Sequence, residues 1–258
     1  MRSLLTLIVL VLMASSLNAQ RTPLAKNDMI RAAYLASNPA QAMKDPATGE
    51  PRGVVPDLVR ELERTRGVKV TLMGRPNPQG VIDAVRNGEA EIGFVAYNPE
   101  RAGPVEFTKP YLLVNQTFIV KNDSPIKSIA DIDHQGRKLG ATRADSIALY
   151  LRRTLKQGML IELDDTTQDT VQRLLRDGAI DAYGSNRQRL TDWTKSAKEV
   201  RLLSDDLYGV EQAIIVPGGR RDALDAANQF IDEVRRSGFL KTAVDRSGVV
   251  GIVVAPER

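Results

Sequence analysis

Arg101 stands just behind an asparagine and a proline in the run Gly93-Phe-Val-Ala-Tyr-Asn-Pro-Glu-Arg-Ala-Gly-Pro-Val-Glu-Phe-Thr-Lys-Pro-Tyr111. Asn98 followed by Pro99 is a helix-opening pair, which predicts Arg101 in the first turn of a helix. A helix start carries partial positive charge and unpaired N–H groups, so a cation there is unfavourable unless something negative joins it. The chemistry suggested is anion binding, shared by guanidinium and helix end; the alternative is an ordinary surface arginine. Other reactive groups are sparse. Cysteine is absent, and the single histidine, His134, lies in the polar turn Asp133-His-Gln-Gly136. No metal-ligand spacing is visible, so neither metal nor cofactor is expected. Acids such as Asp145 or Glu211 keep an enzyme open as an alternative.

The elements that must position Arg101 alternate between short apolar strands and amphipathic helices. The pattern predicts strands over 29–35, 68–73 and 90–96, with helices over 55–66 and 80–87 between them, ended by Gly67 and Gly88. This βαβαβ order specifies a parallel sheet with helices on its faces. It then repeats: strands over 138–142, 159–163 and 180–183 enclose helices over 146–157 and 167–176. Ligands of such sheets bind at the carboxyl ends of the strands, so two facing units would hold one in the cleft between them. Apolar stretches at 116–120 and 213–216 follow connection-like segments, which places hinge crossings near 111–115 and 207–212. The first lobe is then discontinuous, 22–111 plus 213–258, and the second spans 116–207. A helix over 221–237, with Leu224, Ala227, Phe230, Ile231 and Val234 as its apolar stripe, would pack back on the first lobe.

The chain opens with Met1-Arg2-Ser3, a ten-residue apolar run over 4–13, and Leu17-Asn18-Ala19. These are the parts of a cleavable secretory leader over 1–19, too short in its apolar run to span a membrane. Without a cysteine to carry lipid, the product is expected as a free periplasmic protein whose stability comes from its apolar core and not from disulfides. Hydrophobic residues make up 42% of the chain, enough for two lobes. The net charge of +4 arises from 36 basic residues interspersed with 32 acidic ones, and aromatics are only 5%. Neither a phosphate-tracking stripe nor a base-stacking platform results, so nucleic acid is excluded as the expected partner. Weak steering of anions remains.

The chain resembles family 3 of the bacterial extracellular solute-binding proteins, the polar-amino-acid receptors of ATP-driven importers. The family's Thr-Pro-Glu-Arg segment and its Asp/Glu-Phe-Ser/Thr-x-Pro-Tyr-Tyr segment are matched by Ala96-Tyr-Asn-Pro-Glu-Arg101 and Glu106-Phe-Thr-Lys-Pro-Tyr111. Gly53-Val-Val-Pro-Asp57-Leu58 matches the family's helix entry loosely, and Asp123-Ser-Pro-Ile-Lys-Ser-Ile-Ala-Asp131-Ile132 matches another family segment closely. The resemblance runs from about residue 29 to 241. It implies a two-lobed α/β periplasmic binding protein fold of type II, with two parallel-type sheets joined at a hinge. It also implies a monomeric receptor that carries a small anionic solute to an inner-membrane ABC permease. A dehydratase-like enzyme or a stand-alone ligand sensor are the alternatives the fold allows.

The resemblance implies roles one residue at a time. Arg101 falls where the family places its ligand-carboxylate arginine, and Ser146, preceded by Asp145, where a Gly-Thr-Thr turn helps hold the same group. Elsewhere the pattern departs. The family's ammonium-binding aspartate falls at Asn186, its companion threonine at Ala96, and its aromatic walls at Asn38 and Pro78. Either Glu211 or Asp145 replaces the lost acid, or the ligand has no ammonium. In the latter case Asn38, Gln41, Asn98 and Asn186 would suit a polar organic anion, with Tyr97 as a packing face.

Overall fold

A computed structural model describes residues 22–36 and 38–257. The predicted leader, 1–19, lies outside the described residues. The chain begins with β1 (Met29–Leu35), a two-strand hairpin of β2 (Met43–Lys44) and β3 (Pro51–Arg52), then α1 (Val54–Arg66), β4 (Lys69–Arg75), α2 (Pro78–Arg86) and β5 (Ile92–Ala96). After β6 (Val105–Phe107) and the long β7 (Leu112–Lys121) come β8 (Lys138–Thr142), α3 (Ser146–Thr154), β9 (Met159–Leu163), α4 (Gln168–Arg176), β10 (Ala182–Asn186), α5 (Arg187–Ser196) and β11 (Val200–Leu202). The second long strand, β12 (Tyr208–Pro217), leads into α6 (Arg221–Arg236), α7 (Phe239–Ser247) and β13 (Ile252–Val254).

The two predicted parallel sets are present, and the long strands join them into one curled mixed sheet in the order β4-β1-β5-β12-β7-β10-β8-β9. β1 runs parallel to β4 and β5, and β8 runs parallel to β9 and β10. β12 is antiparallel to β5 and β7, and β7 is antiparallel to β10.

Alternation along each strand divides the core into two layers per lobe, because successive side chains leave opposite faces of a sheet. On one lobe, Ile30, Ile92, Phe94 and Ile214 pack beneath α1 and α6, against Leu58, Leu62, Phe230 and Ile231. Their neighbours Ala33, Val95 and Ile215 face the opposite way, onto Val81 and Val85 of α2. In the other lobe Phe118, Leu139 and Ala182 meet Ile147, Ala148 and Leu151 of α3, while Ile119 and Tyr183 meet Val171 and Leu175 of α4 and Leu190 of α5. At about 25 cal/mol per Å² of apolar surface, burying one of these larger side chains contributes roughly 1.5–3 kcal/mol.

Several boundaries differ from the sequence expectation. The helix expected over 146–157 ends at Thr154, where Leu155 turns extended. The strand expected over 180–183 lies at Ala182–Asn186. The apolar stretches at 116–120 and 213–216 are the inner halves of strands ten residues long, whose outer halves pair with each other from Tyr208 opposite Gln116 to Gln212 opposite Leu112.

Candidate functional site

The helix predicted to carry Arg101 is a single 3-10 turn, Pro99–Arg101, and Arg101 is its last residue. Ala102 is already extended, and Gly103 precedes Pro104, whose ring disfavours helical backbone before it. Asn98 caps the turn, its Oδ1 accepting from the Glu100 N–H at 3.0 Å. A turn this short has no macrodipole to share an anion, so the helix-end part of the expectation is corrected. The guanidinium is left to act alone.

Its surroundings are unusual for a cation. Arg101 is half-buried, and among the described residues its only side-chain hydrogen bond runs from Nη1 to the Ala96 carbonyl at 3.4 Å, with no ion pair. Burial pushes its pKa below the ordinary arginine value, opposed by the charges of Glu100 and Asp145. It therefore sits over the carboxyl end of β5, partly stripped of water, with most of its five donors unused.

Beside it lies a cleft of about 360 Å³, lined from both lobes and from the strand between them. One wall is Tyr97, Asn98 and Pro99, following β5. Opposite are Ser146, Leu149, Tyr150 and Arg153, one face of α3. The floor is the outer half of β12, from Tyr208 to Glu211. Two other hollows, one beside Lys121 and Arg176 and one around His134, are each lined from the β8 lobe alone.

Local chemistry fixes these walls. Asp145 caps α3 by accepting from the Ser146 N–H at 2.7 Å, after Ala144 turns through a left-handed φ of 58°. Among the described residues the Ser146 hydroxyl has no partner and stands at the cleft. The rings of Tyr150 and Tyr208 stack at 4.2 Å with an 11° interplanar angle. Burial and the charge of Asp145 raise the Tyr208 pKa, against Arg153, so this phenol stays neutral. Tyr97 is 45% exposed, packs its edge on Phe107 at 5.2 Å, and donates its N–H to the Glu211 carbonyl at 2.8 Å.

Of the residues expected in the site, the structure brings Tyr97, Asn98 and Ser146 onto one cleft, with Glu211 at its floor and Asp145 within electrostatic range of Arg101. Three others have structural employment. Gln41 is fully buried, its Nε2 donating to Gln212 and its Oε1 accepting from the Leu35 N–H. Asn38 closes a turn by accepting from the Ala40 N–H at 3.1 Å, and Asn186 caps α5 by accepting from the Arg189 N–H at 2.8 Å. Sequence reasoning does not single out Leu149, Tyr150, Arg153 and Tyr208. A signal for the α3 residues exists in their spacing of three, four and seven from Ser146, which puts them on its helix face.

The architecture and cleft define the class: a two-lobed α/β binding protein with its pocket at the carboxyl ends of facing strand sets. The sequence matches the bacterial extracellular solute-binding proteins, family 3, across residues 30–247, and the chain belongs to that family. A relative, the glutamine-binding protein of Geobacillus stearothermophilus, is 23% identical over 185 residues, 66% of this chain and 67% of that protein. Among solved structures, an ancestral arginine-binding protein bound to glutamine has a TM-score of 0.64 at 21% identity, over 88% of this chain and 100% of its own. An amino acid ABC transporter substrate-binding protein from Streptococcus pneumoniae bound to L-arginine has a TM-score of 0.63 at 17% identity, over 85% and 94%.

Proposed function

We propose that this protein is the periplasmic receptor of an ABC importer and captures a small carboxylate-bearing solute between its lobes. The observation that carries this reading is the half-buried Arg101 guanidinium, which lacks an anionic partner at the edge of a cleft lined from both lobes. A planar guanidinium binds a carboxylate through two parallel hydrogen bonds, and excluding water strengthens both. Asn98 and Ser146 approach from opposite walls and complete the polar contacts, with Tyr97 as one packing face. The lobes are residues 22–111 with 213–258, and residues 116–207. They close about the paired segments 112–116 and 208–212, and the closed form docks on an inner-membrane permease after export by the leader.

The named relatives bind glutamine or arginine, which makes an amino acid the first ligand class to try. Asn186 supplies no negative charge for an ammonium group, so Asp145 and Glu211 are the acids proposed to meet one. Thermal-shift screening of the purified protein tests the reading. A carboxylate at about a hundred times its Kd should stabilise the fold by roughly 2.7 kcal/mol. Arg101→Ala should abolish that response. A neutral sugar as the hit, or full affinity in the variant, would overturn the site.

A further inference from the structure

Capture of one carboxylate leaves part of α3 unused. Ser146, Leu149, Tyr150 and Arg153 share the face that walls the cleft, and Arg153 ends that row two turns into the helix. Among the described residues its guanidinium has neither hydrogen bond nor ion pair. The acids on the strand beyond α3 are committed elsewhere: Glu162 pairs with both Arg143 and Arg152, and Asp164 pairs with Arg143 at 2.6 Å. Arg153 lines this cleft, and Arg101 stands just behind its opposite wall of Tyr97, Asn98 and Pro99, two residues beyond Pro99. The stacked Tyr150 and Tyr208 rings form the wall next to Arg153.

We infer that the cleft selects a solute bearing two carboxylate groups, Arg101 taking one and Arg153 the other as the lobes close. This rests on the carboxylate-receptor reading above. Closure carries both guanidiniums into a site that loses water, where each gains most from a carboxylate placed for two parallel hydrogen bonds. A diacid supplies one to each; its monoamide has nearly the same shape and only one charge. The diacid can be an acidic amino acid or a plain dicarboxylate.

Isothermal titration with matched pairs separates these cases: L-glutamate against L-glutamine, and glutarate against its monoamide. Each diacid that binds should do so at least about tenfold more tightly than its amide, the loss expected for one charge-assisted contact. Arg153→Gln should remove that preference, the diacid falling to the affinity of its amide, and Arg153→Lys should restore part of it. The glutamate and glutarate arms report whether the ammonium is read. Equal affinity for diacid and amide, or a preference that survives in Arg153→Gln, overturns the second subsite while leaving the first intact. If no carboxylate binds at all, the receptor reading itself fails.

Discussion

Arg101 shows how a functional residue can be a burden to the fold that carries it. Its guanidinium is half-buried with one long hydrogen bond and, among the described residues, no ion pair, and partial burial of an unpaired charge is unfavourable. Replacing it with an apolar side chain of similar length should relieve that burden. Arg101→Met is expected to leave the melting temperature of the ligand-free protein unchanged or higher, while removing the ligand-induced rise. Scanning calorimetry with and without ligand checks both halves, and a large drop in ligand-free stability would mean that the arginine is structural. Residue type and motif make Arg101 legible in the sequence, but its backbone is not, because Gly103 and Pro104 cut the helix to a single turn. Asn38 and Asn186 read as solute contacts in the sequence because an amide offers the same atoms to a ligand and to a backbone N–H. Only the fold shows that the Oδ1 of each accepts a backbone N–H in a turn or helix cap.

At the scale of elements, α3 is the piece that aims the cleft, and two contacts hold it. Its inner face rests on β10 at Gly184, where an added Cβ would lie 2.5 Å from Ile147 Cδ1 and 2.8 Å from Phe118. Gly184→Ala must therefore push the helix away, and overpacking of this kind costs about 1–3 kcal/mol. Chemical denaturation should show that loss, with weaker ligand binding alongside it; an unchanged midpoint would mean that α3 yields freely. Behind the helix, Asp133 accepts the N–H groups of Gly158 and Gln157, each at 2.8 Å, and that of Lys156 at 2.9 Å. These bonds hold its pKa below the ordinary carboxylate range. The stability it contributes is complete above about pH 4 and is lost as pH falls through the depressed folded value. Asp133→Asn should melt lower than the natural protein at pH 7, and the two curves should converge as pH falls through the depressed folded value. A constant gap at all pH values would refute the assignment. The strands are legible because short apolar runs alternate with amphipathic helical segments. The full length of β7 and β12 is not, because half of each pairs with the other antiparallel, and pairing leaves no mark in periodicity.

For the whole molecule the question is how far those two strands allow the lobes to move. The outer halves of β7 and β12 face each other over only five residue pairs, and their inner halves belong to different lobes. β13 flanks β7 over residues 112–114, and Leu112 and Val114 belong to the core beneath α1 and α6, so bending of this two-stranded ribbon falls on the pairs nearest Gln116 and Tyr208, beyond that core. Side chains bracket it: Asn115 donates its N–H to the Gly251 carbonyl and its Nδ2 to Asp206, each at 2.7 Å, while Arg187 holds Asp206 at 2.5 Å. These ties set where the ribbon bends without fastening the faces of Tyr97 and Ser146 that must meet. A compact chain of this size has a radius of gyration near about 18 Å. Small-angle scattering should find the ligand-free protein above that value and moving toward it at saturating ligand. Arg101→Ala should stay at the ligand-free value under the same conditions. If the natural protein binds a carboxylate with no change in radius, the cleft is a preformed pocket, and the ribbon of β7 and β12 serves only as a rigid connection between two lobes.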